Sequence, residues 1–162
     1  MSKTDELLEN NKRYAESAGR LLPAHSAAVV AVIACMDARL DVYAVLGLKA
    51  GEAHVIRNAG GVVTDDEIRS LAISQRLLGT TEIILIHHTD CGMLTFTDDN
   101  FKAALQQETG IKPAWSAEAF SDLDADVRQS IRRIRASPFV PRTDAIRGFV
   151  FDVTTGLLRE VS

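Results

Sequence analysis

Two unbroken apolar runs, Ala27–Ala34 and Ile83–Ile86, divide the chain into repeating units. Apolar residues at every position fit a parallel strand covered on both faces, and do not fit a strand with one wet side. The pattern predicts strands over 28–34, 53–57 and 82–87, with helical periodicity between them. Leu40, Val42, Tyr43, Val45 and Leu46 predict a short helix stopped by Gly47. Thr64-Asp65-Asp66-Glu67 is a capping-box pattern, followed by a helix with Ile68, Leu71, Ala72 and Leu78 on its apolar side and Gly79 at its end. Further helices are expected over 98–108 and from Ser121, where Val127, Ile131 and Ile134 face the core; 109–120 reads as irregular. Pro138 and Pro141 close that region, and Ile146 to Val161 reads as two strands around Thr154-Thr155-Gly156. At the other end, Thr4 is expected to cap a helix over 5–18 stopped by Gly19, with Leu7, Leu8 and Tyr14 as its only apolar face, then a linker at 23–26.

This alternation defines an α/β fold: a mostly parallel central sheet flanked by helices, with a C-terminal antiparallel addition. The 162 residues form a single domain over 1–162, with 1–22 as an N-terminal helical arm. An arm this polar either crosses a partner subunit or packs loosely on its own domain. In parallel sheets, ligands bind outside the carboxyl ends of the strands. Both apolar runs end there in polar residues of ligand type, Cys35-Met36-Asp37-Ala38-Arg39 and His87-His88-Thr89-Asp90-Cys91-Gly92.

Composition narrows the function. A net charge of −4 argues against nucleic acid, which calls for a basic patch. No apolar run reaches the roughly 18 residues of a membrane span, and residues 1–6 lack the apolar segment of a signal peptide. The expected setting is therefore cytoplasmic and reducing. Both cysteines of the chain lie in the two strand-end motifs, which favours metal binding or catalysis over a disulfide.

Thiolate and imidazole are zinc ligands, and three of them plus one exchangeable position make a catalytic site. Cys35, His88 and Cys91 are the expected ligand set. Asp37 is the candidate exchangeable fourth ligand; bound, it closes the site. Arg39 can hold that carboxylate through two hydrogen bonds and keep the position open for water. Two other readings compete. In one, Cys35 is a nucleophile of the phosphatase kind, which Asp37 opposes by repelling phosphate. In the other, the zinc merely stabilises a non-catalytic binding domain.

Cys35-x-Asp37-x-Arg39, Arg57-Asn58-Ala59-Gly60 and His88-x-x-Cys91-Gly92 together resemble the β-class carbonic anhydrases, in the family's order and spacing. The likeness is detailed over about 28–95 and is nearest to the short bacterial branch. It implies an enzyme with one zinc ion per chain, which adds hydroxide to carbon dioxide to give bicarbonate and a proton. It also implies Cys35, His88 and Cys91 as ligands, Asp37 and Arg39 as the catalytic pair, and a homodimer or dimer of dimers with sites near the subunit interface. Plant-type members line the pocket with glutamine, phenylalanine and tyrosine. By offset from the motifs, Ser26, His54 and Ile73 stand at those places here, with Ala59 and Gly60 as further pocket candidates. His54 is either a proton shuttle or a ring hydrogen-bonded in place. So altered a pocket leaves carbonyl sulfide or carbon disulfide as alternative substrates for the same zinc site.

Overall fold

The computed structural model describes residues 2–17 and 28–162. Five strands form one sheet: β1 (Val30–Cys35), β2 (Ala53–Asn58), β3 (Glu82–His88), β4 (Ile146–Phe151) and β5 (Leu158–Val161). Their order is β2-β1-β3-β4-β5. The first four run parallel, and β5 adds to β4 in the antiparallel sense, as the periodicity predicted. The helices are α1 (Lys3–Ser17), α2 (Val42–Leu46), α3 (Asp65–Arg76), α4 (Asp98–Thr109) and α5 (Leu123–Ala136).

The all-apolar strands are buried on both faces. Ala31, Val32, Ile33 and Ala34 of β1 have no solvent exposure. Val32 and Ala34 join one core layer with Leu40, Val42 and Ile86. Ala31 and Ile33 join the opposite layer with Leu71, Leu85 and Ile134. Each buried Val, Leu or Ile side chain contributes about 1.5–3 kcal/mol relative to its exposed state. β1, with every residue after Val30 buried, is the middle of this core.

Element ends differ from the periodicity where a nearer cap wins. Ser2, not Thr4, caps α1: the Asp5 N–H donates to Ser2 Oγ at 3.1 Å, and the Ser2 N–H donates to Asp5 Oδ2 at 2.7 Å. No residue of α1 is buried. Asp122 rather than Ser121 starts α5, accepting from the Ala125 N–H at 2.9 Å. α3 stops at Arg76, before Gly79. β1 and β3 each run one residue further than expected, because the ladder continues through Cys35 opposite Asn58 and His88 opposite Phe151. The expected helix stop at Gly19, the linker and Ser26 lie outside the described residues. No helix among the described residues is long and apolar enough to cross a membrane.

The chain leaves β1 for β2 on one side and then returns past β1 to β3 on the other. The winding therefore reverses between β1 and β3, and their carboxyl ends form the crevice where α/β sheets take ligands. Gly61 closes the floor of that crevice with φ +68; a Cβ there would lie 2.7 Å from the Cys35 backbone N and 2.9 Å from the Ala34 carbonyl carbon. Left-handed backbone and overpacking each cost about 1–3 kcal/mol. Gly61→Ala is thus expected to destabilise by about 2–4 kcal/mol, read as a lower denaturation midpoint at unchanged slope. An unshifted midpoint would remove this contact from the account.

Candidate metal centre

Three buried ligand-type side chains converge at the crevice. The ligand atoms of Cys35, His88 and Cys91 all lie within 4.8 Å of one another. Cys35 ends β1, His88 ends β3, and Cys91 follows the turn at Thr89-Asp90, where Asp90 takes φ +55. Parallel pairing of β1 with β3, Ala34 level with Ile86, brings the two strand ends to one height.

The donor set fits a metal ion. The two sulfurs are 4.0 Å apart. A disulfide needs about 2.05 Å, whereas two thiolates on a tetrahedral zinc at about 2.3 Å each stand about 3.8 Å apart. His88 Nδ1 donates to the Thr89 carbonyl at 2.8 Å, which fixes the tautomer and leaves the Nε2 lone pair free. Nε2 is buried and has no hydrogen-bond partner. An orphaned buried polar atom costs about 1–3 kcal/mol, and a cation there removes that cost. The thiols tell the same story: with no cation they share one proton, which lowers Cys35 and raises Cys91. A divalent ion lets both be thiolates.

Asp37 and Arg39 meet as the motif predicted. The Arg39 backbone N–H and Nε donate to Asp37 Oδ1 at 2.8 and 3.0 Å, and Arg39 Nη2 donates to Oδ2 at 2.8 Å. These bonds hold the Asp37 carboxyl well below the usual carboxylate range. Both its oxygens are committed to Arg39, yet Oδ2 lies only 3.7 Å from His88 Nε2. The carboxylate stands at the edge of the ligand group, held back by the guanidinium.

A cavity of about 730 Å³ opens onto this group, lined by Cys35, Asp37, Ala59, Gly60, His88 and Cys91 and walled by Phe96, Phe101 and Trp115. His54 and Ile73 are not among its residues. They line a separate cavity of about 270 Å³ with Arg69 and Ser70. Register explains the separation: His54 pairs with Ala31, while Cys35 pairs with Asn58. Four residues of strand at about 3.3 Å each put His54 about 13 Å short of the ligand end. Its ring is held by Ser74 at 2.8 Å, and Ser74 by Thr80 at 2.7 Å. His87 faces away from the ligands as expected, 2.7 Å from Asp126 and stacked on Phe120.

The family model for carbonic anhydrase matches residues 30–158. The β-carbonic anhydrase 1 of Mycobacterium tuberculosis is 65% identical over 162 residues, covering 100% of this chain and 99% of that protein. The chain belongs to the β-carbonic anhydrase family. Among solved structures, the carbonic anhydrase of Streptococcus mutans matches with a TM-score of 0.93 at 43% identity, over 100% of this chain and 99% of that one. A carbon disulfide hydrolase of Acidithiobacillus thiooxidans is 35% identical over 149 residues, 79% of this chain and 74% of that protein. Membership of the family makes the chain an enzyme of the carbonic anhydrase kind.

Two residues that motif reading passed over support the centre of this β-carbonic anhydrase. Asp90 is the second partner of Arg39, accepting from Nη1 at 2.7 Å on its carboxylate and from Nη2 at 3.0 Å on its carbonyl. Arg57 donates to the Cys35 carbonyl at 2.6 Å and the Asp37 carbonyl at 2.8 Å, and so ties down the turn between ligand and carboxylate. Both sit inside the quoted motifs; Asp90, a charge next to Cys91, was a signal in the sequence, whereas Arg57 reaches Cys35 only across the strands.

Proposed function

We propose that this chain catalyses the reversible hydration of carbon dioxide to bicarbonate and a proton, with one zinc ion per chain held by Cys35, His88 and Cys91. The observation that carries this reading is the buried Cys-His-Cys group with an unpartnered Nε2, opening on an apolar pocket beside a restrained carboxylate. Zinc bound there supplies a Lewis acid that lowers the pKa of a water from about 15.7 towards about 7. Arg39 holds Asp37 off the ligand group. Asp37 Oδ2 is the acceptor placed to take a hydrogen bond from the attacking water and orient it towards the substrate carbon. Ala59, Gly60 and the aromatic wall give an apolar linear molecule an apolar surface beside that water. The Thr89 carbonyl keeps His88 in its ligand tautomer.

The enzyme acts as a homodimer or dimer of dimers in the cytoplasm. Support comes from α1, whose Leu7, Leu8 and Tyr14 are all exposed in their own subunit. His54 and Ile73 then serve as pocket residues only for a neighbouring subunit, since in their own chain they line another cavity. The bond to Ser74 favours a fixed His54 ring over a proton shuttle.

Carbonyl sulfide or carbon disulfide hydrolysis is the second reading. It is favoured by the relative that is a carbon disulfide hydrolase. Side-by-side rates on the zinc-loaded enzyme decide between them. Carbon dioxide is expected to be turned over faster than either sulfur compound; a higher rate on a sulfur compound reverses the assignment. No turnover of any of the three favours the non-catalytic zinc-binding domain.

A further inference from the structure

Residues 111–122 form neither helix nor strand, yet they supply part of the pocket wall. A segment without a ladder finds acceptors for its backbone N–H groups in water or in side chains. It finds them on one side chain far away in sequence. Asp98 Oδ2 accepts from Ser116 Oγ at 2.6 Å, the Ala117 N–H at 2.8 Å and the Glu118 N–H at 3.1 Å; Oδ1 accepts from the Ala119 N–H at 2.8 Å. Glu118 takes φ +60 among these donors, a left-handed turn within a run of N–H groups that closes around an anion. The convergence, led by the Ser116 hydroxyl, holds the Asp98 carboxyl below its usual range. Asp98 also opens α4, where the helix N-terminus favours negative charge. The same helix carries Phe101, whose ring lies 6.3 Å from that of Trp115 and 5.3 Å from that of Phe96. A second tie, the Phe120 N–H to the Met93 carbonyl at 3.3 Å, fixes the far end of the segment.

We propose that Asp98 is a positioning residue for the reaction: its carboxylate pins residues 116–119, and thereby stands Trp115 and Ala117 as the wall of the cavity beside Cys35, His88 and Cys91. The proposal rests on reading that cavity as the substrate pocket. Asp98 touches no substrate; it sets the width of the pocket through the segment it holds. Asn at this position puts an amide N–H₂ against at least one N–H donor, and Ala removes all four bonds.

Trp115 is the only tryptophan of the chain, and its ring is half-exposed, with Phe101 at 6.3 Å on the pocket side, so a rise in quenching above that of the half-exposed ring reports loss of the wall. The test compares wild type with Asp98→Asn and Ser116→Ala as full-length, zinc-loaded enzymes. Acrylamide quenching of Trp115, KM and kcat for carbon dioxide, and zinc content are measured on each. Asp98→Asn is expected to raise quenching and to raise KM about tenfold with kcat and zinc content retained, the pattern of a substrate pocket that binds less well. Ser116→Ala, which loses one bond of the four, is expected to move both readings less and in the same direction. Unchanged quenching in Asp98→Asn overturns the clamp. Raised quenching with unchanged KM overturns its link to substrate, and loss of zinc together with kcat assigns Asp98 a merely structural role. Should Asp98→Asn fail to fold, Ser116→Ala decides alone, and no change in its quenching or KM overturns the proposal. A wild type without hydration activity would instead contradict the functional reading, with quenching still deciding the clamp.

Discussion

Arg39→Ala is expected to cut carbon dioxide hydration on the order of a hundredfold while the bound metal stays in place, the range found when a group orienting a metal ligand is lost. Both Asp37 oxygens are occupied by Arg39, and Oδ2 is 3.7 Å from His88 Nε2. Without the guanidinium the carboxylate needs only a side-chain rotation to enter the ligand group, where an anion beside a divalent ion is strongly favoured. The fourth position is then filled by protein and the site becomes structural. Zinc content is expected to hold, because the change adds a ligand. Lysine at this position keeps the charge but not the fork, so Arg39→Lys should fall between the two. The pair's effect on stability is expected to be small, since the Arg39 side chain is 47% exposed and exposed ion pairs contribute about 0–1 kcal/mol. Stopped-flow rates with metal analysis on the same samples check this. An unchanged rate with zinc bound would take Arg39 out of the mechanism.

His88→Ala is expected to have the larger effect, loss of bound zinc and of hydration above background. Two thiolates alone leave the ion without the neutral ligand whose lone pair is fixed by Thr89. The loss also shows in folding. A ligand that binds the native state stabilises it by about 2.7 kcal/mol at a hundred times its Kd. Added zinc should therefore raise the melting temperature of metal-stripped wild type and leave that of His88→Ala in place. A variant that keeps one zinc per chain and hydrates carbon dioxide near the wild-type rate would contradict the ligand assignment.

The parts of this site that were legible in the sequence are those governed by short-range pattern. β1 and β3 show as unbroken apolar runs because each is covered on both faces, and ligand-type residues follow at once because the strands end at the crevice. Asp37 and Arg39 meet because they are two residues apart on one turn. What escaped depends on distance in the chain. Offsets along β2 placed His54 correctly on the strand but carried no register, and register decides that it stands at the end of the sheet away from Cys35. Arg57 reaches backbone carbonyls of the Cys35 turn, a contact between strands that no side-chain pattern records. Asp98 reads as an ordinary acidic residue in the first turn of a helix. Its hold on residues 116–119 appears only once α4 and the irregular segment are folded against each other. Two helix starts were missed for a local reason, competition between nearby caps, with Ser2 prevailing over Thr4 and Asp122 over Ser121, while the Thr64 cap of α3 and the Asp98 start of α4 stood as read.

A zinc ion held by Cys35, His88 and Cys91 is expected to make this chain a carbon dioxide hydratase. The most direct test measures metal content and hydration rate on one preparation as purified, after chelation, and after zinc is restored. The expected result is about one zinc per chain, with the rate lost on chelation and regained with zinc. Protein stripped of metal that still hydrates carbon dioxide at its original rate would contradict it.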